Sequence, residues 1–202
     1  MLTKDELKAR LNNACQEVIA AEAELTEIDS HFGDADHGVT MTKIANAIME
    51  VVEDAEGGIQ AVLDEAATNV MMINGGSAVP LWNTWLDAMQ ENAVEGDEMD
   101  VAAVKNMFQC AYEELEALSK AKVGDKTMMD ALIPATEAMV ACDGDIDAIF
   151  AAAAEGAIKG CEASKGFVSK FGRARSYGEK TIGTPDAGAT SMKYFFVGLA
   201  KK

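Results

Sequence analysis

Positively charged residues are scarce in this sequence. Lysine and arginine together number 17, against 34 aspartates and glutamates, which gives a formal net charge of −17 at pH 7. Nucleic acids and anionic membrane surfaces attract basic proteins, so this charge balance argues against a general affinity for either. We therefore expect no nucleic-acid partner and no membrane partner, and we interpret the acidic surface mainly as a source of solubility.

Cysteine is infrequent as well. The four cysteines stand far apart, without any C-x-x-C pair, at Cys15, Cys110, Cys142 and Cys161. This spacing suggests neither a zinc site nor a disulfide framework and predicts reduced core residues. Residues 4 to 6 are charged, where a signal peptide would need a purely apolar run. The sequence thus predicts a cytoplasmic protein.

Long apolar runs are missing too. The segment 66 to 86, AATNVMMINGGSAVPLWNTWL, carries no charge, but its asparagines, glycines and proline are unsuited to a membrane span. We predict a buried loop between two core helices at this point. With 202 residues and 49% hydrophobic content, the chain can build one sizeable core, so we predict a single domain over residues 1–202.

Helical patterns account for most of the chain, since few stretches are dense in β-branched residues. Thr3 and Glu6 form a capping-box pattern before one long amphipathic helix that ends at Asp29. A second helix is expected to begin with Asp36 as its N-cap. Further helical patterns cover about 58–72, 79–94, 99–121, 128–141, 146–164 and 188–200. Pro134 must lie near the start of its helix or kink it.

This count of helices predicts the fold class. About eight helices joined by short turns indicate an all-α bundle or helical barrel. In such an arrangement we expect ligands at one end, where the loops converge.

The stretch LTEIDSHFGDADHGVTM places Asp29, Asp34 and Asp36 within eight residues, beside His31 and His37. Three ionised carboxylates this close repel one another, so a fold that gathers them needs a compensating cation. The spacing does not match an EF-hand, and three hard oxygen ligands with few others fit Mg²⁺, which often shares its shell with nucleotide phosphates. The alternative is a helix N-cap with a solvated acidic turn, in which His37 either caps or donates to a phosphate.

Three further segments could bind an anion. In NGGSAVP, residues 74 to 80, two glycines precede a helix start, although ordinary turns use the same residues. In GDKTMMD, residues 124 to 130, a polar helix start is the alternative, and the methionines could contact a base or fill the core. Residues 165 to 191 hold Arg173 and Arg175 in a locally basic island that suits a small anionic ligand.

Taken together and in this order, GDADHG, NGGSAVP, GDKTM and DAGATS resemble the L subunit of dihydroxyacetone kinase, the nucleotide-binding partner in a two-component ketose kinase. The likeness runs through almost the whole chain. It implies a barrel of eight antiparallel helices that holds a nucleotide, ADP or ATP, and two magnesium ions at one end. The chain departs from the family pattern at GGSAVPL, where Val79 replaces a glycine, at GRARSYGEK, which adds Arg175, and at DAG, where the family has D-P-G.

The resemblance also implies site residues. Asp29, Asp34 and Asp36 would ligate the metals and, with Arg173, would carry the catalysis. Nucleotide contacts would come from residues on all four segments: His37, Gly38, Thr40, Gly76, Ser77, Ala78, Thr127, Met128, Arg173, Asp186 and Gly188.

The implied activity requires a second protein. In the resembled system a separate K subunit binds the ketose covalently through a histidine, so this chain would transfer a phosphoryl group from its nucleotide to that ketose. Bound ADP would be recharged by a phosphohistidine protein of the phosphotransferase system, the M subunit. Two alternatives stay open: an ATP-exchanging subunit that serves another small ketose such as a tetrulose, and a nucleotide-loaded regulatory module that binds a transcriptional regulator.

Overall fold

A computed structural model describes residues 1–202 of the chain. Almost all of its regular structure is helical, which confirms the expected all-α class. In chain order the elements are β1 (Leu2–Thr3), α1 (Lys4–Ala20), α2 (Glu22–Ser30), α3 (His37–Val52), α4 (Ile59–Met71), α5 (Ala78–Glu91), β2 (Glu98–Met99), α6 (Val101–Ser119), α7 (Met129–Ala141), α8 (Ile146–Ala163) and α9 (Ala187–Leu199). Two 3₁₀ segments, Ser164–Gly166 and Arg173–Thr181, lie between α8 and α9.

The helices form a closed ring. Helix α1 packs against α3 on one side and α9 on the other, and from α3 to α9 each helix contacts the next. Since α2 continues from α1, eight helices close the barrel, in agreement with the predicted number. Short connections make successive helices antiparallel as far as α8, and α9 follows after the longer connection 164–186 and packs beside α8. The helices α3, α5, α7 and α9 all start at the same end as the last turn of α2.

The first predicted helix is divided in two. Its capping box is present: the Thr3 hydroxyl accepts from the Glu6 N–H at 3.2 Å, and the Glu6 carboxylate accepts from the Thr3 N–H at 2.9 Å. The helix breaks at Ala21, where φ is −90° and ψ is 2°. Neither proline nor glycine stands at this point, so the sequence lacks the usual signals of a helix break.

The barrel interior is filled by one cluster of 52 buried apolar residues. Aromatic side chains occupy its centre, where Trp85 lies edge-on to Trp82, Phe108 and Phe195 with ring centroids 5.5 to 6.1 Å apart. Such edge-to-face pairs stabilise a core beyond the burial of their area. Cys15 and Cys161 are buried and no cysteine is bonded to another. None of the helices combines the length and the apolar character needed to cross a membrane.

The uncharged connection between α4 and α5 does not lie buried, contrary to the sequence prediction. Asn74, Gly75, Gly76 and Ser77 are exposed, and the preceding Met71 and Met72 are 70% and 79% exposed. A connection contains backbone N–H groups that no helix satisfies, so it needs contact with water or a ligand, whatever its side chains.

Pro134 lies inside α7, five residues after its first residue. Because proline has no N–H, the Asp130 carbonyl loses its usual helical partner. Helix α8 approaches this carbonyl closely: a Cβ added at Gly160 would lie 2.0 Å from the Asp130 oxygen, and one at Gly156 would lie 2.3 Å from the Pro134 oxygen. The two glycines therefore set the close packing of α7 on α8.

Substitution of Gly160 by alanine is expected to destabilise the protein, although alanine is the better helix former by about 1 kcal/mol. The atom in the way belongs to the backbone and cannot rotate aside, so the helices must separate at a cost of about 2–3 kcal/mol. Urea denaturation measures this loss. Gly166→Ala is the control, since nothing lies within 4 Å of a Cβ added there; equal effects of both substitutions would contradict the packing argument.

Candidate functional site

A cavity of about 350 Å³ opens at the barrel end where four helices begin. Its wall includes the first residues of α3 and α5, the residues just before α7, and the first residues of α9. The N–H groups of a first helical turn have no partner within the helix and carry partial positive charge, so helix starts favour anions. The volume is in the usual range for small-molecule sites, roughly 300–1,000 Å³.

Three carboxylates stand at the edge of this cavity. One oxygen from each of Asp29, Asp34 and Asp36 lies within 4.8 Å of the others. The chain is shaped to bring them there: a Cβ at position 33 would lie 2.0 Å from Asp29 Oδ1, so glycine leaves the required space. Ala35, between the other two, has φ of 60°, a left-handed conformation that is uncommon for a residue other than glycine. The three predicted metal ligands thus lie close enough to share a cation, and their binding of a metal stays a prediction.

The negative charges of the three carboxylates are balanced to different degrees by N–H groups and cationic side chains of the protein. Asp29 Oδ2 accepts from the backbone N–H groups of Asp36 at 3.1 Å and His37 at 3.4 Å. Asp34 forms an ion pair with Arg173. No N–H group donates to the Asp36 carboxylate; desolvation raises its pKa, and the neighbouring Asp34 and Asp29 carboxylates raise the pKa further. Asp36 is therefore the carboxylate that most lacks a positive partner.

The same contacts correct one prediction. Asp36 stands at the N-cap position of α3, but its side chain makes no capping hydrogen bond. Asp29 caps this helix instead, across the turn of the loop. The Asp36 carboxylate therefore does not bond to the helix start, contrary to the predicted capping role.

His37 joins the starts of two helices. Its Nε2 lies 3.2 Å from the Ser191 hydroxyl, which donates to the Gly188 carbonyl at 2.9 Å and so accepts from the imidazole. Burial lowers the pKa of His37, which favours the neutral ring. His37 lines the cavity, whereas His31 is exposed and contacts the Glu27 carbonyl at 2.8 Å. The two histidines thus have different environments.

The turn before α7 is organised by Asp130. This buried carboxylate accepts from the N–H groups of Gly124 and Thr127, each at 2.6 Å. The turn brings Lys126, Thr127 and Met128 to the cavity wall. Sequence analysis placed Thr127 and Met128 at the site but gave no role to Lys126 or Asp130, although both belong to the GDKTMMD motif that contained the signal.

Most of the sequence-predicted site residues meet at this cavity. Those in its wall are Asp29, Asp34, Asp36, His37, Thr40, Gly76, Ser77, Ala78, Thr127, Met128, Arg173, Asp186 and Gly188. Gly38 is not among them: it packs against α2, where an added Cβ would lie 2.2 Å from the Glu22 carbonyl oxygen. This close approach gives Gly38 a packing role, and its contact with a nucleotide stays a prediction.

Sequence analysis missed the apolar part of the wall. It consists of side chains from five separate segments: Ile28, Phe32, Leu81, Trp82, Phe171 and Pro185. Ile28, Leu81 and Trp82 lie in helices, where apolar residues produce the same periodic pattern whether they face a core or a cavity. The other three lie in connections, where no periodic pattern exists. The cavity wall therefore combines apolar side chains with the three carboxylates.

Asp186 caps α9 from within the cavity wall, its Oδ2 accepting from the Ala189 N–H at 2.8 Å. Burial raises the pKa of Asp186 to about 7; the Asp130 carboxylate also raises it, while the Ala189 N–H and Lys126 oppose the shift. The folded protein therefore holds this carboxyl's proton to a higher pH than the unfolded chain does.

The stability of the protein is expected to depend on the protonation of Asp186. Because the folded state binds this proton more tightly than the unfolded state, the free energy of unfolding should fall as the pH rises from 5 to 7, by up to about 1.4 kcal/mol per pH unit. Asp186→Asn retains an oxygen for the Ala189 N–H and removes the titration. Urea denaturation of both ligand-free proteins at several pH values gives the difference; parallel pH profiles would contradict the assigned shift.

Comparison with known proteins places this geometry in a family. The DAK2 domain family matches residues 31–201. The D-erythrulose kinase of Mycolicibacterium smegmatis is 38% identical over 92% of this chain and 33% of that protein. The ADP-binding subunit DhaL of the PTS-dependent dihydroxyacetone kinase of Lactococcus lactis is 29% identical over 97% of this chain and 96% of that subunit.

A solved structure shares the fold. The dihydroxyacetone kinase from C. freundii, crystallised in complex with AMP-PNP and Mg²⁺, superposes with a TM-score of 0.71 and 22% identity, over 96% of this chain and 33% of that chain. Thus the chain spans about a third of the length of the erythrulose kinase and of this solved kinase, and nearly the whole length of the DhaL subunit. The family match extends over most of the barrel and includes all residues of the cavity wall except Ile28 and Asp29, and the chain belongs to the DAK2 domain family.

Proposed function

We propose that this chain is the nucleotide- and magnesium-binding subunit of a small-ketose kinase, with residues 1–202 acting as one nucleotide-binding domain. The observation that carries the proposal is the meeting of three carboxylates and four helix starts at one cavity. Anion-attracting helix ends and cation-attracting carboxylates side by side suit a ligand that brings both charges, as a metal-bound nucleoside diphosphate does.

In this proposal, different cavity residues bind different parts of the metal–nucleotide complex. Asp29, Asp34 and Asp36 hold two Mg²⁺ ions, which supply charge neutralisation for phosphoryl transfer. The N–H groups around Gly76 and Ser77 and at the start of α9 orient phosphate oxygens. The apolar wall accepts the base and excludes water from it. Arg173, already paired with Asp34, is placed to stabilise negative charge on the transferred group.

The ketose is held by a partner K subunit, and the chain transfers the phosphoryl group from nucleotide to that ketose. The full-length likeness to a PTS-dependent ADP-binding subunit favours dihydroxyacetone as substrate and a phosphohistidine protein, the M subunit, as the donor that recharges ADP. In this form the nucleotide behaves as a resident cofactor rather than as an exchanged substrate.

A second candidate is a tetrulose kinase that exchanges free ATP. It is favoured by the higher identity to the D-erythrulose kinase, 38% compared with 29% for the DhaL subunit. Transfer assays with the partner K subunit, offering dihydroxyacetone and both erythrulose enantiomers with either ATP or a phosphohistidine donor, distinguish the two candidates. A subunit that binds nucleotide but phosphorylates no ketose with any donor would instead favour a regulatory binding module.

Mass spectrometry of the purified chain tests the proposal directly. ADP is expected to co-purify in nearly stoichiometric amount and to leave when a chelator removes magnesium. The absence of nucleotide under all loading conditions would overturn the proposal. Nucleotide that stays bound after complete removal of divalent ions would overturn the role of the carboxylates.

A further inference from the structure

Lys126 adopts a backbone conformation that does not suit its side chain. Its φ is 60°, in the left-handed region where glycine and asparagine are the usual residues. The residue is nevertheless only 5% exposed. A lysine that is both strained and buried, at a position where glycine would relax the backbone, indicates that its side chain has a use.

The use is visible in its contacts. The Lys126 ammonium donates to the Ser164 carbonyl at 2.7 Å and to the Thr184 carbonyl at 2.5 Å. These two carbonyls lie immediately before and after Lys165–Gly183, which we call the cover segment. A single ammonium group thus joins the two ends of this segment. The Gly183 N–H also connects these ends, because it donates to the Lys165 carbonyl at 2.7 Å.

The cover segment has little else to hold it. Of its residues only Ser169 and Thr181 are buried, and it contains no α-helix. Its remaining attachments are few and mostly exposed. Lys170 bonds to Asp125 through its side chain at 2.7 Å and through its N–H at 3.1 Å. Arg173, 67% exposed, pairs with Asp34, and the Tyr177 ring lies 5.2 Å from that of Phe32. A segment with so few buried contacts depends on its hydrogen bonds for its position.

What the cover segment brings to the cavity is a set of residues around Arg173, including Phe171 and Gly172. We propose that Lys126 is a positioning residue: by joining the ends of the cover segment it fixes where Arg173 stands over the cavity. The connection that Lys126 makes between the two segment ends does not depend on the proposed function. Its effect on phosphoryl transfer rests on the proposed function.

Lys126→Met tests the fastening, because methionine keeps an unbranched side chain and the backbone strain but removes every N–H donor. In the ligand-free protein, amide hydrogen exchange within residues 169–183 is expected to rise at least tenfold, with unchanged exchange in the core helices. Trypsin should cleave after Arg173 and Arg175 faster by a similar factor. Lys126→Arg, which restores donors and charge, is expected to recover most of the protection.

Lys122→Met is the matched control, since Lys122 is an exposed lysine of the same turn and its side chain has no hydrogen-bond partner. It should change neither measurement. If Lys126→Met proves too unstable to study, Lys126→Gln, which has a shorter side chain without charge but keeps two N–H donors, should give intermediate exchange. Unchanged exchange in the cover segment of either variant overturns the proposal.

A double-mutant cycle separates positioning from direct ligand contact. Lys126→Met is expected to lower turnover with the K subunit ten- to a hundredfold while changing the ADP dissociation constant less than threefold. In an Arg173→Ala background the same substitution should then have almost no further effect on turnover. Two results would show that Lys126 contacts the ligand and does not act through Arg173. One is an equal loss of turnover in both backgrounds. The other is a parallel loss of ADP affinity while hydrogen exchange in the cover segment is unchanged. If the wild-type chain binds no ADP, the proposed function fails, but the exchange measurement still decides the fastening.

Discussion

Replacement of Asp36 by asparagine is expected to weaken magnesium-dependent ADP binding about 100-fold, equivalent to about 2.8 kcal/mol of binding free energy. Asp36 is the carboxylate of the cluster that has no N–H donor in the protein, so in our proposal its charge is the one most available to a metal ion. An amide oxygen keeps the shape but removes the charge that a hard cation such as Mg²⁺ requires. Titration calorimetry with ADP at fixed magnesium concentration measures the change.

The same substitution should have the opposite effect on the ligand-free protein. Without a cation, removal of one of three neighbouring charges relieves repulsion, so the melting temperature should stay equal or rise. The magnesium-induced increase in melting temperature should disappear. Asp143→Asn, which removes the same charge from an exposed position in the connection between α7 and α8 at the opposite end of the barrel, is the control and should leave both measurements unchanged. A normal magnesium response from Asp36→Asn would refute the metal site.

Arg173→Ala is expected to reduce phosphoryl transfer about 10²- to 10³-fold, the usual effect of losing one charge-stabilising donor. ADP affinity should change only a few-fold, because the Arg173 side chain is 67% exposed and an exposed pair with Asp34 contributes little to the ground state. The expected signature is therefore a loss in turnover at nearly constant binding. Steady-state transfer to a ketose on the K subunit, together with calorimetry for ADP, gives the two quantities.

Arg175 provides the control for Arg173. It lies two residues further along the same 3₁₀ segment, carries the same charge and is absent from the cavity wall. Arg175→Ala should therefore keep turnover within about twofold, unless the basic island acts only through its total charge. Similar losses from both substitutions would support that general effect and contradict a specific role for Arg173.

The helices and their class were accessible from the sequence because they depend on local spacing. The apolar stripe through Leu7, Leu11, Ala14 and Val18 is buried as predicted, and the Thr3 capping box forms. The acidic cluster was also visible, since the three aspartates are close along the chain and any turn brings them near one another. Local patterns of this kind need no knowledge of distant residues.

Other features depend on contacts or loop conformations that local spacing does not specify. Asp29 caps α3 from only seven residues before Asp36, so this choice follows from the conformation of the loop. The contact of His37 with Ser191 and the packing of Gly38 on α2 depend on how the helices are arranged. The exposure of the connection after Met71 and Met72 was mispredicted because an absence of charge was taken for burial. In fact the backbone's need for hydrogen bonds decides the exposure of such a turn.

The sequence by itself determined an all-α chain with three carboxylates in one loop and helix starts that can bind anions. It did so because hydrophobic periodicity, capping residues and charge spacing involve residues that are near one another in the chain. Only the tertiary structure decided that four helix starts meet at one cavity, that apolar side chains from separate segments line this cavity together with the acidic loop, and that Lys126 joins the two ends of the cover segment. The barrel closes through pairs such as α1 with α9, and such long-range contacts arise from packing the whole core and not from any local pattern.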